Sequence, residues 1–140
     1  MRKLILTSVL FLLFFAFGGG GTADAQKKLR LNSTPKVFQT FYAKFRNAAN
    51  KGDKKTIVSV TRFPFKYGFD AGDEGTFTKA QFVEKFDVFF DAESDIFAQK
   101  NPEFYQEAGT FNLTDESNAS HYIFEKKGAG YKFTAFIVEP

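Results

Sequence analysis

Phenylalanine changes its spacing along this chain, and that change limits the folds available to it. In "STPKVFQTFYAKFRNAAN" (33–50), Phe38, Phe41, Tyr42, Phe45, Ala48 and Ala49 recur at helical intervals. In "FPFKYGFD" (63–70), Phe63, Phe65, Tyr67 and Phe69 take every second position, the period of a strand. A helix face and a strand face built of rings both need burial. The chain contains 21 phenylalanines, no tryptophan, no cysteine and a single methionine, Met1. Its interior is therefore expected to be mostly phenylalanine, with some Ile, Val and Leu, and no disulfide to hold it.

The first residues, "MRKLILTSVLFLLFFAFGGGGTADAQ", combine Arg2 and Lys3, an apolar run from Leu4 to Phe17, and a small-x-small site at Ala23-Asp24-Ala25. This reads as a secretory signal peptide over 1–25. The run is shorter than the roughly 20 residues that span a bilayer. The expected product is exported, periplasmic or secreted, with no stable membrane insertion after cleavage. Residues 26–33 are expected to be a flexible N-terminal segment, and 34–140 a single domain.

Scattered charge of both signs and a near-neutral balance argue against nucleic acid as a partner. "DKK" at 53–55 and "EKKG" at 125–128 read as solvated turns.

Thr34 and Pro35 open the first helix and Gly52 closes it. Asp53 offers an N-cap to a shorter helix ending before Pro64. Pro64 places the aromatic strand at an edge or at its own start. "DAGDEG" is a turn, Thr76 to Thr78 suggests a short return strand, and Thr78 with Gln81 forms a capping box. The helix that follows carries Phe82, Val83, Phe86, Phe89 and Phe90 on one side. Helical turns are expected around Ile96–Phe97 and Phe104–Tyr105, followed by strands at 110–114, 120–126 and 131–139 in an antiparallel meander. Helices ahead of such a sheet indicate an α+β fold. Phe133, Ala135 and Ile137 on one face and Phe136 and Val138 on the other make the last strand central.

Few residues suggest chemistry. A calcium loop starting at Asp70 would lack two oxygen ligands, including the glutamate at position 12, where Gln81 stands. An acidic turn fits better, and no metal or cofactor is expected. His121 is the only histidine, which excludes a site of several imidazoles; sharing a strand face with Ile123, it reads as structural before it reads as an acid or base. Asp87, Asp91 and Asp95 recur every fourth residue, as a wet helix flank does. No nucleophile elbow, dinucleotide fingerprint, phosphate loop or zinc-protease phrase occurs. Asn32, Asn112 and Asn118 head Asn-x-Ser/Thr sites, idle in a bacterial-style secretory route.

The element order, the "GD" turn at Gly52-Asp53, "FPF" at 63–65 and the closing "YKFTAFIVEP" together resemble the nuclear transport factor 2-like superfamily across roughly residues 34–139. The resemblance implies helices packed on a curved antiparallel sheet, forming a cone with a pocket at its open end. Relatives of this kind include ketosteroid isomerases, scytalone dehydratases and polyketide cyclases, but no position here matches a catalytic motif specific enough to transfer. On this reading Tyr42, Tyr67, His121 and Tyr122 are the ligand-binding candidates, although aromatics at such periods are more often core. The expectation is an exported binding module holding a small hydrophobic ligand or an envelope protein partner, with a homodimer as one form of pairing. The competing expectation is an isomerase or dehydratase in which His121 or a carboxylate is the base and Tyr42 or Tyr67 polarises a carbonyl. A cavity with convergent polar groups favours the enzyme; a cone plugged by phenylalanine favours partner binding.

Overall fold

A computed structural model describes residues 26–69, 72–91 and 94–140. The leader expected over 1–25, and Asp70 at the head of the rejected calcium loop, lie outside the described residues.

The fold is α+β, with helices packed against a curved seven-stranded sheet. The strands are β1 (Lys27–Arg30), β2 (Thr61–Gly68), β3 (Glu74–Phe77), β4 (Glu103–Glu107), β5 (Thr110–Asp115), β6 (Ser120–Lys127) and β7 (Gly130–Val138). Their order across the sheet is β1-β4-β5-β6-β7-β2-β3. The helices are α1 (Lys36–Lys51), α2 (Lys54–Ser59), α3 (Lys79–Glu84) and α4 (Phe86–Phe89), with 3-10 turns at Leu31–Ser33 and Ile96–Ala98.

Helix α1 forms because its apolar residues fall on one side; Phe38, Tyr42, Phe45 and Ala48 are buried. Gly52 ends it in the left-handed conformation, φ 65°, with its N–H on the Ala48 and Ala49 carbonyls. Thr34 does not cap the helix. Its hydroxyl donates to the Leu31 carbonyl at 2.6 Å, and Pro35 takes the N-cap position without a side-chain bond. Asp53 does cap α2, accepting from the Thr56 N–H at 3.1 Å. Thr78 and Gln81 close the capping box of α3 in both directions, at 3.3 and 2.9 Å.

Four further sequence expectations about the elements need correction. Lys27–Arg30 are not a frayed tail: Leu29 lies opposite Phe104, and the strand forms the basic edge of the sheet beside β4. Three cations in four residues hid a strand whose single apolar contact suffices at an edge, where lysine also discourages pairing with other chains. Phe104–Tyr105 belong to strand β4, not a helical turn. Ala108 and Gly109, both at positive φ, make the two-residue hairpin turn between Glu107 and Thr110. The helix expected across 79–90 is broken at Lys85 into α3 and α4. Finally, the sheet is mixed rather than antiparallel, because β2 runs parallel to β7. That pairing shifts register between Thr61 and Lys66, the stretch containing Pro64, which has no N–H for the ladder.

Strand β7 is central, between β6 and β2. Its inner face differs from the period-two reading, because the β6–β7 register slips between Ile123 and Phe124. Phe124 lies opposite Phe133 while Tyr122 lies opposite Phe136, so Phe133 and Phe136 both face the helices and Ala135 and Ile137 face outward. One extra residue, Thr134, accounts for the change.

Candidate functional site

The concavity is the first place to look for a site, and rings fill it. Phe38, Phe45, Phe65, Phe82, Phe89 and Phe104 are fully buried, as are Phe111, Phe124 and Phe133. Phe45 of α1 lies 4.9 Å from Phe124 and 5.1 Å from Phe133, centroid to centroid. Phe65 of β2 lies 4.7 Å from Phe133 and 4.8 Å from Phe82. These are packing distances for edge-on and tilted rings, leaving no room for another ring between them. Of the seventeen phenylalanines beyond residue 25, thirteen are buried and the other four, Phe41, Phe63, Phe69 and Phe77, pack against the same cluster. The phenylalanine excess is consumed in the core. Among the described residues, the large apolar side chains left in solvent are valines: Val37, Val83 and Val88.

The four candidate residues do not meet. Tyr42 sits inside the ring cluster, 5.0 Å from Phe104, with a buried hydroxyl that has no hydrogen-bond partner. Burial drives its ionisation far above the usual phenol range, with Arg46 opposing weakly. Tyr122 is also internal; its hydroxyl donates to the Phe89 carbonyl at 2.7 Å, and burial again raises its pKa strongly. Tyr67 stands at the rim, stacked on Phe77 at 4.1 Å, with its hydroxyl 3.5 Å from the Asp73 carboxylate.

His121 lies on the opposite face of the sheet from Tyr42, because Tyr122 and Phe124 point inward and His121 and Ile123 alternate with them. Its Nδ1 is 3.1 Å from both the Asn112 amide nitrogen and the Thr114 hydroxyl, and its Nε2 is 3.1 Å from a Glu139 oxygen. If the Nδ1 lone pair accepts from Asn112 and Thr114, the ring proton sits on Nε2, beside the Glu139 carboxylate but without hydrogen-bond geometry to it. Burial lowers the His121 pKa below its usual value against the opposing pull of Glu139, so the ring is neutral near pH 7. With the Nδ1 lone pair engaged, the imidazole has no free lone pair to take a proton from a substrate. Of the pairs in the isomerase expectation, His121 and Tyr42 are on opposite faces of the sheet.

Two surface clefts stand out among the described residues. One, of about 320 Å3, runs between the β1–β4–β5 end of the sheet and the Ile96–Ala98 turn. Its two cations are already paired: Glu103 takes Lys28 at 3.0 Å and Arg30 at 3.2 Å. Asp115 accepts from the Ser94 and Ser117 hydroxyls, both at 2.6 Å. Burial pushes the Asp115 carboxyl up, but these hydrogen bonds outweigh it and keep it below the usual range. The other, a groove of about 470 Å3 between α2 and α3, is lined by Val58, Val83 and Ser59 with Lys54, Lys55 and Lys79 along it. Sequence reading passed over it, taking "DKK" as a solvated turn; only the packing of α2 on α3 brings Lys79 to the other two.

Among the described residues no cluster of three or more His, Cys, Asp or Glu could hold a metal ion, and no helix is long and apolar enough to cross a membrane.

No family model and no curated protein matches this chain. Solved structures similar to it include a candidate Ca/calmodulin-dependent kinase II association domain from Exiguobacterium sibiricum 255-15, 11% identical, TM-score 0.43, matching 74% of this chain and 90% of that one. An uncharacterised protein with a cystatin-like fold from Caulobacter vibrioides is 9% identical at TM-score 0.42, over 74% of this chain and 87% of that one. A domain of unknown function with a cystatin-like fold from Nostoc punctiforme PCC 73102 is 10% identical at TM-score 0.39, over 76% and 78%.

Proposed function

We propose that this chain is an exported small binding module of the nuclear transport factor 2-like superfamily, in which the cone serves as structural core and contacts are made on the outer surface. The superfamily assignment is supported by the element order, the closing meander and the ring-bearing first helix in the hollow of the sheet. Export is supported by the basic start, apolar run and small-x-small site of residues 1–25.

The observation that carries the proposal is the filled interior. Phe45, Phe124 and Phe133 touch where relatives of the cone type would need a chamber. A ligand site must offer concave space and a few convergent polar groups. Here the inward tyrosine hydroxyls are consumed or isolated, and the histidine faces the other way.

Titration with neutral apolar probes, naphthalene and a steroid, followed by NMR of the aromatic resonances, tests this reading. The Phe45 and Phe124 signals stay unshifted if the cone is core; saturable shifts there would return the ligand to the cone. N-terminal sequencing of the protein recovered outside the cytoplasm is expected to begin at Gln26, and recovery of the uncleaved chain from the cytoplasm alone would contradict export.

A further inference from the structure

We infer that the groove between α2 and α3 binds a single-chain anionic amphiphile, a long-chain carboxylate, with its head among Lys54, Lys55 and Lys79 and its tail along Val58 and Val83. The inference rests on the reading that contacts lie outside the cone, and adds a ligand class and a site.

The lining has two parts of different chemistry. Val58 is partly buried and Val83 remains 37% exposed, so the floor is apolar and open to contact. Lys54, Lys55 and Lys79 line the groove, and no acidic residue joins them in the lining. Among the described residues none of the three has an ion-pair partner. Lys54 lies 5.4 Å over the Phe86 ring, which holds its stem along the groove. Asp53, the acid beside α2, spends its carboxylate on the Thr56 N–H and hydroxyl. Lys132 adds a fourth cation near the Ser59 end, donating to the Ser59 carbonyl at 3.0 Å.

An apolar floor rejects a simple inorganic anion, and a concentration of unpaired positive charge rejects a cationic or neutral chain. The groove lies open to solvent and has room for a single alkyl chain over its valine floor. A carboxylate at one end of such a chain meets three compact ammonium charges, each with rotatable N–H donors that it can accept from.

The test is titration of the protein with dodecanoate below its micelle concentration, read by calorimetry and by the methyl NMR signals of Val58 and Val83. The expected result is saturable binding that shifts both valines, weakens in high salt and falls roughly tenfold in a Lys55→Gln/Lys79→Gln variant of unchanged melting temperature. Equal binding of dodecyltrimethylammonium, unaltered affinity in the variant, or binding only to phosphatidylglycerol vesicles would overturn it. No binding at all overturns this inference while leaving the filled cone intact; shifts at Phe45 and Phe124 would overturn both.

Discussion

The ring of Phe38 on the first helix stacks on that of Phe111 on β5, 4.1 Å between centroids and 21° between planes. It continues to Phe104 at 5.1 Å and Tyr131 at 5.1 Å, tying the helix to β4, β5 and β7 at once. Through such contacts the helix serves as a plug for the curved sheet.

Tyr42 is the one plug residue with a polar tip left over. Its hydroxyl is buried without a partner, and an unsatisfied buried group of this kind destabilises the native state. Tyr42→Phe is expected to equal or exceed wild type by up to about 2 kcal/mol in urea denaturation. A marked loss of stability would show that the hydroxyl has a partner in solution.

Phe45 touches Phe90, Phe97, Phe124 and Phe133 and is fully buried. Phe45→Ala is expected to cost about 3–5 kcal/mol through lost contacts and the void left behind. If the variant stays folded, benzene should raise its melting temperature and leave that of wild type unchanged. Equal stabilisation of both proteins would mean the wild-type interior already has a hole.

His121 predicts a pH dependence. Its folded pKa lies below the unfolded value of 6.5, chiefly through burial, so the unfolded chain takes up the proton first. Stability is full above about pH 6.5 and declines as the pH falls towards the folded pKa. The difference in unfolding free energy between wild type and His121→Gln should therefore shrink with acidification over that window. A difference that grows on acidification would mean that Glu139 holds the ring protonated.

The capping box at Thr78 and Gln81 starts α3, which places Lys79 and Val83 at the groove. Thr78→Ala should lower stability by about 1 kcal/mol, measured by thermal melting. No change would mean that packing of Phe82 alone holds the helix.

Much of this architecture is legible in the residues. Phe38, Tyr42 and Phe45 declare the buried helix face, Phe63 to Phe69 declare β2, and Thr78 with Gln81 declares the start of α3. What escaped depends on information that is not local. A strand such as Lys27–Arg30 has one apolar side chain and is defined by its partner Phe104. The parallel pairing of β2 with β7 joins segments some seventy residues apart, and no periodicity encodes its direction. The bulge at Thr134 reversed the facing of Phe136 because one extra residue inverts every later side chain. In the sequence, the candidate tyrosines and His121 are distinguished by residue type alone. Whether a hydroxyl points into a hollow or into a packed ring cluster depends on volume, which composition cannot reveal. The lysines of the α2–α3 groove are separated by the β2–β3 hairpin, so charge patterning along the chain could not group them.

The central claim is that the hollow of the sheet is solid. Crystals of the protein pressurised with xenon test it most directly, since xenon enters dry apolar cavities and nothing else in a core of this kind. The prediction is no xenon among Phe38, Phe45, Phe124 and Phe133; an ordered xenon atom surrounded by those four rings would contradict it.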